Sequence, residues 1–230
     1  MISKKPMVVA IGGSPRKEGN TEQLLKFALD IISGYGIKTE YIGIGGKEIE
    51  GCISCRHCRA SKIAECSIKD DFEPIFRKVY EADGLILGTP VYFGTQTAKM
   101  TALLERLGMV AEGRHGIDIP LSDVGWPDSK GPGLWAGKVG GAIVSTRRTG
   151  ANFVLAELLL WFSILGFVIV TGTYWTVAIG GTRIPGLVKY GEHSTSELSK
   201  DQLQEDAEAI KAIKDFAHQF GKVINKLKRD

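Results

Sequence analysis

The sequence predicts an α/β fold, in which helices cover both faces of a doubly wound parallel sheet. Short apolar runs that end at glycine or proline, such as MVVAIG from Met7 and GLILGTP from Gly84, are typical of buried parallel strands. Helical segments separate these runs, and strands and helices alternate five times along the chain. A chain of 230 residues fits one domain, and we expect residues 1–230 to form it.

The first half of the chain contains the first two strands and the cysteines. After the first strand, apolar residues recur at helical spacing over residues 19–35. The run IKTEYIGI, from Ile37, alternates between apolar and polar residues and predicts a strand at the sheet edge. A cysteine-rich loop, residues 45–69, follows this second strand. Asp70 and Asp71 can then cap the next helix.

The second half begins with the strand GLILGTP and a helix predicted over residues 97–109. Residues 111–137 are rich in glycine, proline and aspartate without periodicity, which predicts a long loop. A fourth strand, KVGGAIVS, comes next. Residues 180–198 are irregular, and Ser199 opens a final helix with acidic residues near its start and basic residues near its end.

One apolar stretch, FVLAELLLWFSILGFVIV from Phe153, reaches the length of a membrane span. Glu157 lies inside it and Gly166 divides it. We therefore interpret the stretch as a buried helix, a stop at glycine and a fifth strand from Phe167 to Thr171.

Charge and composition exclude several classes of partner. The net charge is +3, from 29 basic and 26 acidic residues, without a run of like charge. We therefore expect no nucleic acid and no membrane as partners. The apolar run near the N-terminus is too short for the core of a secretory signal, so we expect a cytoplasmic protein. In that compartment, clustered thiols indicate a metal or redox role rather than a disulfide scaffold.

Ligands of open α/β sheets bind beyond the carboxyl ends of the strands, so the loops after strands 1, 3 and 4 are the candidates. The loop GGSPRKEGNTEQLL places hydroxyls and backbone N–H groups at a helix start, which suits one terminal phosphate. Neither the Rossmann nor the Walker A spacing of glycines is present. An ordinary capped strand-to-helix turn is the alternative.

The other two loops carry aromatic and basic residues. In TPVYFGTQTA, Tyr92 and Phe93 could stand against a flat ring or pack under a neighbouring helix. In STRRTGAN, Arg147 or Arg148 could favour an anionic ring or a second phosphate, or could form an exposed pair. No residue pattern indicates a protein acid or base for catalysis.

All the cysteines lie within fifteen residues, spaced C-x2-C-x2-C-x7-C: Cys52, Cys55, Cys58 and Cys66. Three thiolates at three-residue intervals can reach three corners of an iron–sulfur cube, and a fourth from a longer loop can close the site. Zinc sites separate their C-x2-C pairs further, and a thioredoxin-like pair belongs to a different fold context. We favour a [4Fe–4S] cluster, with His57 as a solvent-facing spacer.

Taken together, GGSPRKEGNT, DGLILGTPVYFG and the four cysteines between them resemble the iron–sulfur flavoproteins of the flavodoxin-like, NAD(P)H-dependent FMN reductase superfamily. The resemblance implies a five-stranded sheet of order 2-1-3-4-5 and bound FMN. It implies that the FMN phosphate is bound by Ser14, Arg16, Asn20 and Thr21. It implies that the isoalloxazine is lined by Pro90, Val91, Tyr92, Phe93 and Gly94. It implies that the other edge of the isoalloxazine is closed by Ser145, Thr146, Arg147 and Gly150.

The same resemblance implies a flavin-dependent oxidoreductase. Electrons would come from a ferredoxin-like donor through the cluster to FMN and pass to a small acceptor such as a quinone, peroxide or oxygen. A homodimer or homotetramer is expected. Two alternatives stay open: a cluster-free reductase of flavin or quinone with NAD(P)H as its substrate, and a non-enzymatic electron carrier.

Overall fold

A parallel β-sheet forms the centre of the molecule in a computed structural model that describes residues 5–61, 65–118, 133–179 and 207–228. The strands are β1 (Met7–Gly12), β2 (Lys38–Gly43), β3 (Gly84–Pro90), β4 (Val139–Thr146), β5 (Val168–Ile169) and β6 (Val177–Ile179). The helices are α1 (Asn20–Ser33), α2 (His57–Ala60), α3 (Phe72–Glu81), α4 (Ala98–Asp118), α5 (Ala151–Ile164) and α6 (Ala207–Leu227).

The strands follow the predicted order β2-β1-β3-β4-β5, and every pairing along this path is parallel. β1 and β4 are buried along their whole length, as expected for central strands without alternation. β2 is half-exposed, which confirms the predicted edge strand. The carboxyl ends of β1, β3 and β4 therefore lie side by side at one edge of the sheet.

Helices cover both faces of the sheet, which confirms the doubly wound arrangement. Apolar side chains of α3, α4 and α5 form the core on one face, and those of α1 and α6 form the core on the other. Glycines at adjacent positions of β4 let helices approach from both sides, because neighbouring residues of a strand point to opposite faces. A Cβ atom on Gly140 would lie 2.5 Å from Phe162, and one on Gly141 would lie 2.5 Å from Phe216.

The outer edge of the sheet differs from the single fifth strand predicted over residues 167–171. β5 contains only Val168–Ile169 and pairs with the start of β4, whereas β6 pairs with its end. Val170 and Thr176 keep backbone hydrogen bonds to β4, and the hydroxyl of Thr176 also bonds the β4 carbonyl of Ala142, whereas residues 171–175 leave the ladder. The stretch TGTYWT separates the two short strands, although its Thr, Tyr and Trp residues favour strand conformation.

The helix after β3 is longer than the predicted 97–109, and the prediction of a loop from residue 111 was wrong for residues 111–118. Val110 and Ala111 are buried in the core. A Cβ atom on Gly113 would lie 2.3 Å from the carbonyl oxygen of Cys58. Contact with the cysteine loop thus accompanies the extra turns of α4. The rest of the predicted loop up to residue 132, the segment 180–198 and the start of the final helix at Ser199 lie outside the described residues.

The apolar stretch from Phe153 is a helix, a glycine and a strand, as predicted. α5 ends at Ile164, Gly166 adopts the left-handed conformation with φ of 75°, and β5 follows. None of the helices in the described ranges is both long and apolar enough to cross a membrane.

Candidate functional site

The three predicted ligand loops meet at the carboxyl edge of the sheet. The hydroxyls of Thr21 and Ser145, both buried, lie 2.7 Å apart and join the loop after β1 to the end of β4. The carbonyl of Ser145 accepts a 2.8 Å hydrogen bond from the N–H of Val91, which joins the loop after β3. The sheet order therefore brings together residues that are up to 124 positions apart in sequence.

The loop after β1 has features of an anion-binding site. α1 begins at Asn20, and its N-cap residue is Gly19, which has no side chain to accept a hydrogen bond from the first turn. The N-terminal N–H groups and the positive end of the helix dipole attract an anion. Ser14 is buried and its Oγ accepts a hydrogen bond from the N–H of Arg16, while the side chain of Arg16 is exposed.

The loop after β3 is a tight turn that presents two aromatic rings. Tyr92 and Thr95 exchange two backbone hydrogen bonds of 2.9 and 3.2 Å. Phe93 and Gly94 at the tip have φ of 52° and 88°, the conformation of a two-residue hairpin turn. Tyr92 is 42% exposed and Phe93 is fully exposed, so the idea that these rings pack under a helix is wrong.

The loop after β4 touches this turn. Gly150 has φ of 89°, and a Cβ atom on it would lie 3.3 Å from the Cα of Gly94. Thr146 is buried, and its hydroxyl donates a 2.9 Å hydrogen bond to the carbonyl of Thr149. Arg147 and Arg148 are exposed on the outside of this loop.

Sequence reasoning missed the residues that support this edge. The buried Thr97 donates from its hydroxyl to the carbonyl of Gly13 at 2.9 Å, and its N–H bonds the hydroxyl of Thr89. Glu157 accepts hydrogen bonds from Thr95 and Gln96 and thereby ties the aromatic turn to α5. These contacts join separate elements, so no local motif signals them.

The four predicted cysteines surround one cavity beside α4. All four are free thiols: Cys58 is buried, Cys55 is exposed, and Cys52 and Cys66 are half-buried. His57 is exposed, as expected of a spacer. Within the described ranges, no three His, Cys, Asp or Glu side chains converge closely enough to hold a single metal ion. The thiols line a common space without meeting at one point.

Each cysteine has a contact that holds its part of the loop. The N–H of Cys52 donates to Glu105 at 3.1 Å, and the thiol of Cys58 donates to the carbonyl of Met109 at 3.4 Å, both on α4. A hydrogen bond with the hydroxyl of Ser67 lowers the pKa of the Cys55 thiol. Burial raises the pKa of the Cys58 thiol.

Arg106 of α4 holds the fourth cysteine. Its Nη2 donates to Cys66 Sγ at 3.3 Å, and its Nη1 lies 2.5 Å from the carboxylate of Asp70. Burial alone would raise the pKa of Asp70, but hydrogen bonds from Arg106 and from the N–H groups of Glu50 and Phe72 outweigh it and lower that pKa. The predicted cap of α3 is confirmed for Asp70, whose Oδ1 accepts a 3.1 Å hydrogen bond from the N–H of Phe72, and was wrong for Asp71, whose carboxylate bonds the N–H of Glu48 instead.

A sequence signal for Arg106 does exist. It lies three residues after Leu103 and four before Val110, on the buried stripe of α4, where a charged residue requires a buried partner.

A family model described as NADPH-dependent FMN reductase matches residues 6–182. An iron–sulfur flavoprotein of Methanocaldococcus jannaschii is 34% identical over 212 residues, which cover 90% of this chain and 98% of that protein. Another, from Archaeoglobus fulgidus, is 26% identical over 96% of this chain and 98% of its own length. The chain belongs to the iron–sulfur flavoproteins of the FMN reductase family. It is a flavin-dependent oxidoreductase.

Solved structures show the same fold for this flavoprotein. RosB, determined with bound 8-demethyl-8-formylriboflavin-5'-phosphate, superposes with a TM-score of 0.64 at 18% identity, over 97% of this chain and 81% of RosB. An NADH:FMN oxidoreductase in its apo form gives a TM-score of 0.54 at 15% identity, over 98% of this chain and 89% of the other. At such identities the likeness concerns the fold alone, and with the strand order it confirms the predicted flavodoxin-like architecture.

Proposed function

We propose that this flavoprotein binds FMN at the carboxyl edge of the sheet and a [4Fe–4S] cluster in the cysteine loop, and that it carries electrons from a ferredoxin-like donor to a small acceptor such as a quinone, peroxide or oxygen. The observation that carries the proposal is the cavity surrounded by all four free cysteines. When bound, the cluster supplies one-electron transfer and the flavin supplies one- or two-electron chemistry.

The residues at the sheet edge fit a flavin nucleotide. The uncapped start of α1 suits a phosphate, and the exposed rings of the aromatic turn suit a flat ring. The phosphate would be held by Ser14, Arg16, Asn20 and Thr21. The ring would lie against residues 90–94, and Ser145, Thr146, Arg147 and Gly150 would close over its other edge.

The arrangement of the thiols fits a cluster better than a single ion. In a tetrahedral zinc site with Zn–S bonds of about 2.3 Å, the sulfurs lie about 3.8 Å apart, so they converge on one point. In a [4Fe–4S] site each cysteine binds a different iron, so the sulfurs stand around a larger space. Cys52, Cys55, Cys58 and Cys66 line one cavity, and no three side chains of the described residues converge on a single point, which supports a cluster over a single ion.

The rim of the cysteine cavity suits an acidic electron donor. Ile53 is 67% exposed there, and the exposed Arg56 and His57 are its neighbours along the chain. An apolar contact within a basic rim complements an acidic carrier, whose association slows as salt screens the charges. We expect Arg56→Gln to slow reduction by an acidic ferredoxin at low salt several-fold, whereas Arg77→Gln on α3 leaves the rate unchanged. Equal rates for both variants would contradict this docking site.

The exposed face of α5 suits a second copy of the chain. Phe153, Leu160 and Ile164 are between 68% and 79% exposed. Apolar side chains grouped on one helix mark association surfaces. We therefore propose a homodimer or homotetramer in solution. Light scattering should give a multiple of the chain mass for the wild type and a smaller mass for Leu160→Lys. A monomeric wild type would overturn this assembly.

The decisive experiment is metal and flavin analysis of protein purified without air. We expect about four irons per chain and a broad shoulder beside the flavin bands. Cys66→Ala should lose iron and keep FMN, and Ser33→Ala, at the exposed end of α1, should keep both. Flavin without iron, together with rapid NADPH oxidation, would favour the cluster-free reductase. Reversible redox chemistry without turnover would favour the electron carrier.

A further inference from the structure

We propose that Arg106 is the positioning residue of the iron–sulfur site: it clamps both arms of the cysteine loop onto α4 and, by its hydrogen bond to Cys66, raises the reduction potential of the cluster. This inference rests on the proposed function, and it adds a residue outside the cysteine motif that acts on the cluster.

The guanidinium of Arg106 contacts both ends of the cysteine loop. Nη1 donates to the carbonyl of Glu50 at 3.2 Å, two residues before the first cysteine. Nη2 donates to the carbonyl of Ile68 at 3.3 Å, two residues after the last. A planar guanidinium can serve several acceptors in fixed directions at once, which an ammonium group cannot. Arg106 therefore sets the separation of the two arms between which the four thiols stand.

The same side chain acts on the fourth thiol itself. Its Nη2 lies 3.3 Å from Cys66 Sγ, and its guanidinium carbon lies 4.2 Å from the ring centre of Phe72. Hydrogen bonds to the sulfurs are among the factors that set the potential of a cluster. A donor at Cys66 stabilises the reduced, more negative state, so it raises the potential.

Because Arg106 is buried and paired with Asp70, its hydrogen bond to Cys66 can be removed without a change in the net charge of the site. The side chain of Arg106 is 1% exposed and that of Asp70 is 6% exposed. Together they form a neutral pair next to the thiol. Removal of both charges therefore deletes the hydrogen bond without a change in net charge, and removal of Asp70 alone leaves the hydrogen bond beside an uncompensated positive charge.

The two changes predict shifts of opposite sign. We would titrate anaerobic protein potentiometrically, following the cluster by electron paramagnetic resonance and the FMN by absorbance. Arg106→Met with Asp70→Asn should lower the potential of the cluster, and Asp70→Asn alone should raise it. The potential of FMN should stay at the wild-type value in both. Arg77→Met, which removes an exposed arginine paired with Glu73 on α3, should change neither potential.

The outcomes separate this inference from the function on which it rests. Loss of iron from the double variant with FMN retained would also support the clamp. If the double variant does not fold, the test rests on the cluster potential of Asp70→Asn. A potential that is unchanged or lower than that of the wild type overturns the proposal. Wild-type potentials in both variants, with full iron content, overturn it while the proposed function stands. A wild type without iron overturns both.

Discussion

The two candidate cofactor sites of this flavoprotein are built in different ways. At the sheet edge, backbone groups and short hydroxyl side chains from three loops meet, as in the contact between Thr21 and Ser145. In the cysteine loop, long side chains from α4 reach across, with Glu105 at Cys52 and Arg106 at Cys66. The first site follows from the order of the strands, whereas the second depends on single side chains.

This difference predicts different sensitivities to mutation. Strand pairing positions the loops after β1, β3 and β4, so the loss of one side chain removes only a part of the site at the sheet edge. Among its described residues, the cysteine loop is helical at α2 alone, so its shape depends on its contacts with α4. We expect substitutions at the buried loop–α4 contacts to have larger effects than substitutions at the sheet edge.

The largest effect is expected for Arg106→Met alone. The variant leaves the carboxylate of Asp70 buried without its cation, and breaking such a pair costs about 3–5 kcal/mol. Urea unfolding of the protein should show this loss in the free energy of unfolding. The exposed Arg77→Met serves as the control and should change it by less than about 1 kcal/mol. A loss for Arg106→Met as small as that of the control would contradict the comparison.

A pH-dependent effect is expected for Asp70→Asn. The pKa of Asp70 is lowered in the folded protein, so its contribution to stability is present above the unfolded carboxyl pKa of about 3.9. That contribution disappears as the pH falls below this value through the folded pKa. The difference in unfolding free energy between wild type and variant should therefore be largest at neutral pH and should decrease as the pH falls and Asp70 becomes protonated. A difference that stays constant down to pH 3 would refute the assignment.

A smaller effect is expected for Ser145→Ala at the sheet edge. The variant leaves the buried hydroxyl of Thr21 without its partner, at a cost of about 1–3 kcal/mol. FMN affinity should fall about fivefold, which corresponds to about 1 kcal/mol, and iron content should not change. Titration of the apoprotein with FMN measures this, with the exposed Ser33→Ala as control. Loss of iron from Ser145→Ala would show that the two sites are not independent.

The smallest effect is expected for Arg59→Gln. Arg59 pairs with Glu112 of α4 on the surface, and its side chain is 51% exposed. Solvent screens such a pair, so the free energy of unfolding should change by less than about 1 kcal/mol. If urea unfolding showed a larger loss of unfolding free energy, the exposed Arg59–Glu112 pair would contribute as much to stability as the buried Arg106–Asp70 pair.

Much of the fold was predictable because the local spacing of apolar residues indicates which segments form strands and which form helices. Buried strands such as GLILGTP read as apolar runs, and the edge strand β2 reads as an alternation. The prediction failed where packing overrides composition. The GRHGID end of α4 has a loop-like composition, yet it is helical. The outer strand is split, although the Thr, Tyr and Trp residues between its two parts favour strand conformation.

By itself, the sequence determined the alternation of strands and helices, the spacing of the four cysteines and the loops that meet at the sheet edge. Only the tertiary structure decided that Arg106 faces Cys66 across 40 residues and that Thr21 meets Ser145 across 124. The physical reason is that periodicity reports which face of an element is buried. What lies opposite that face is decided when the elements pack.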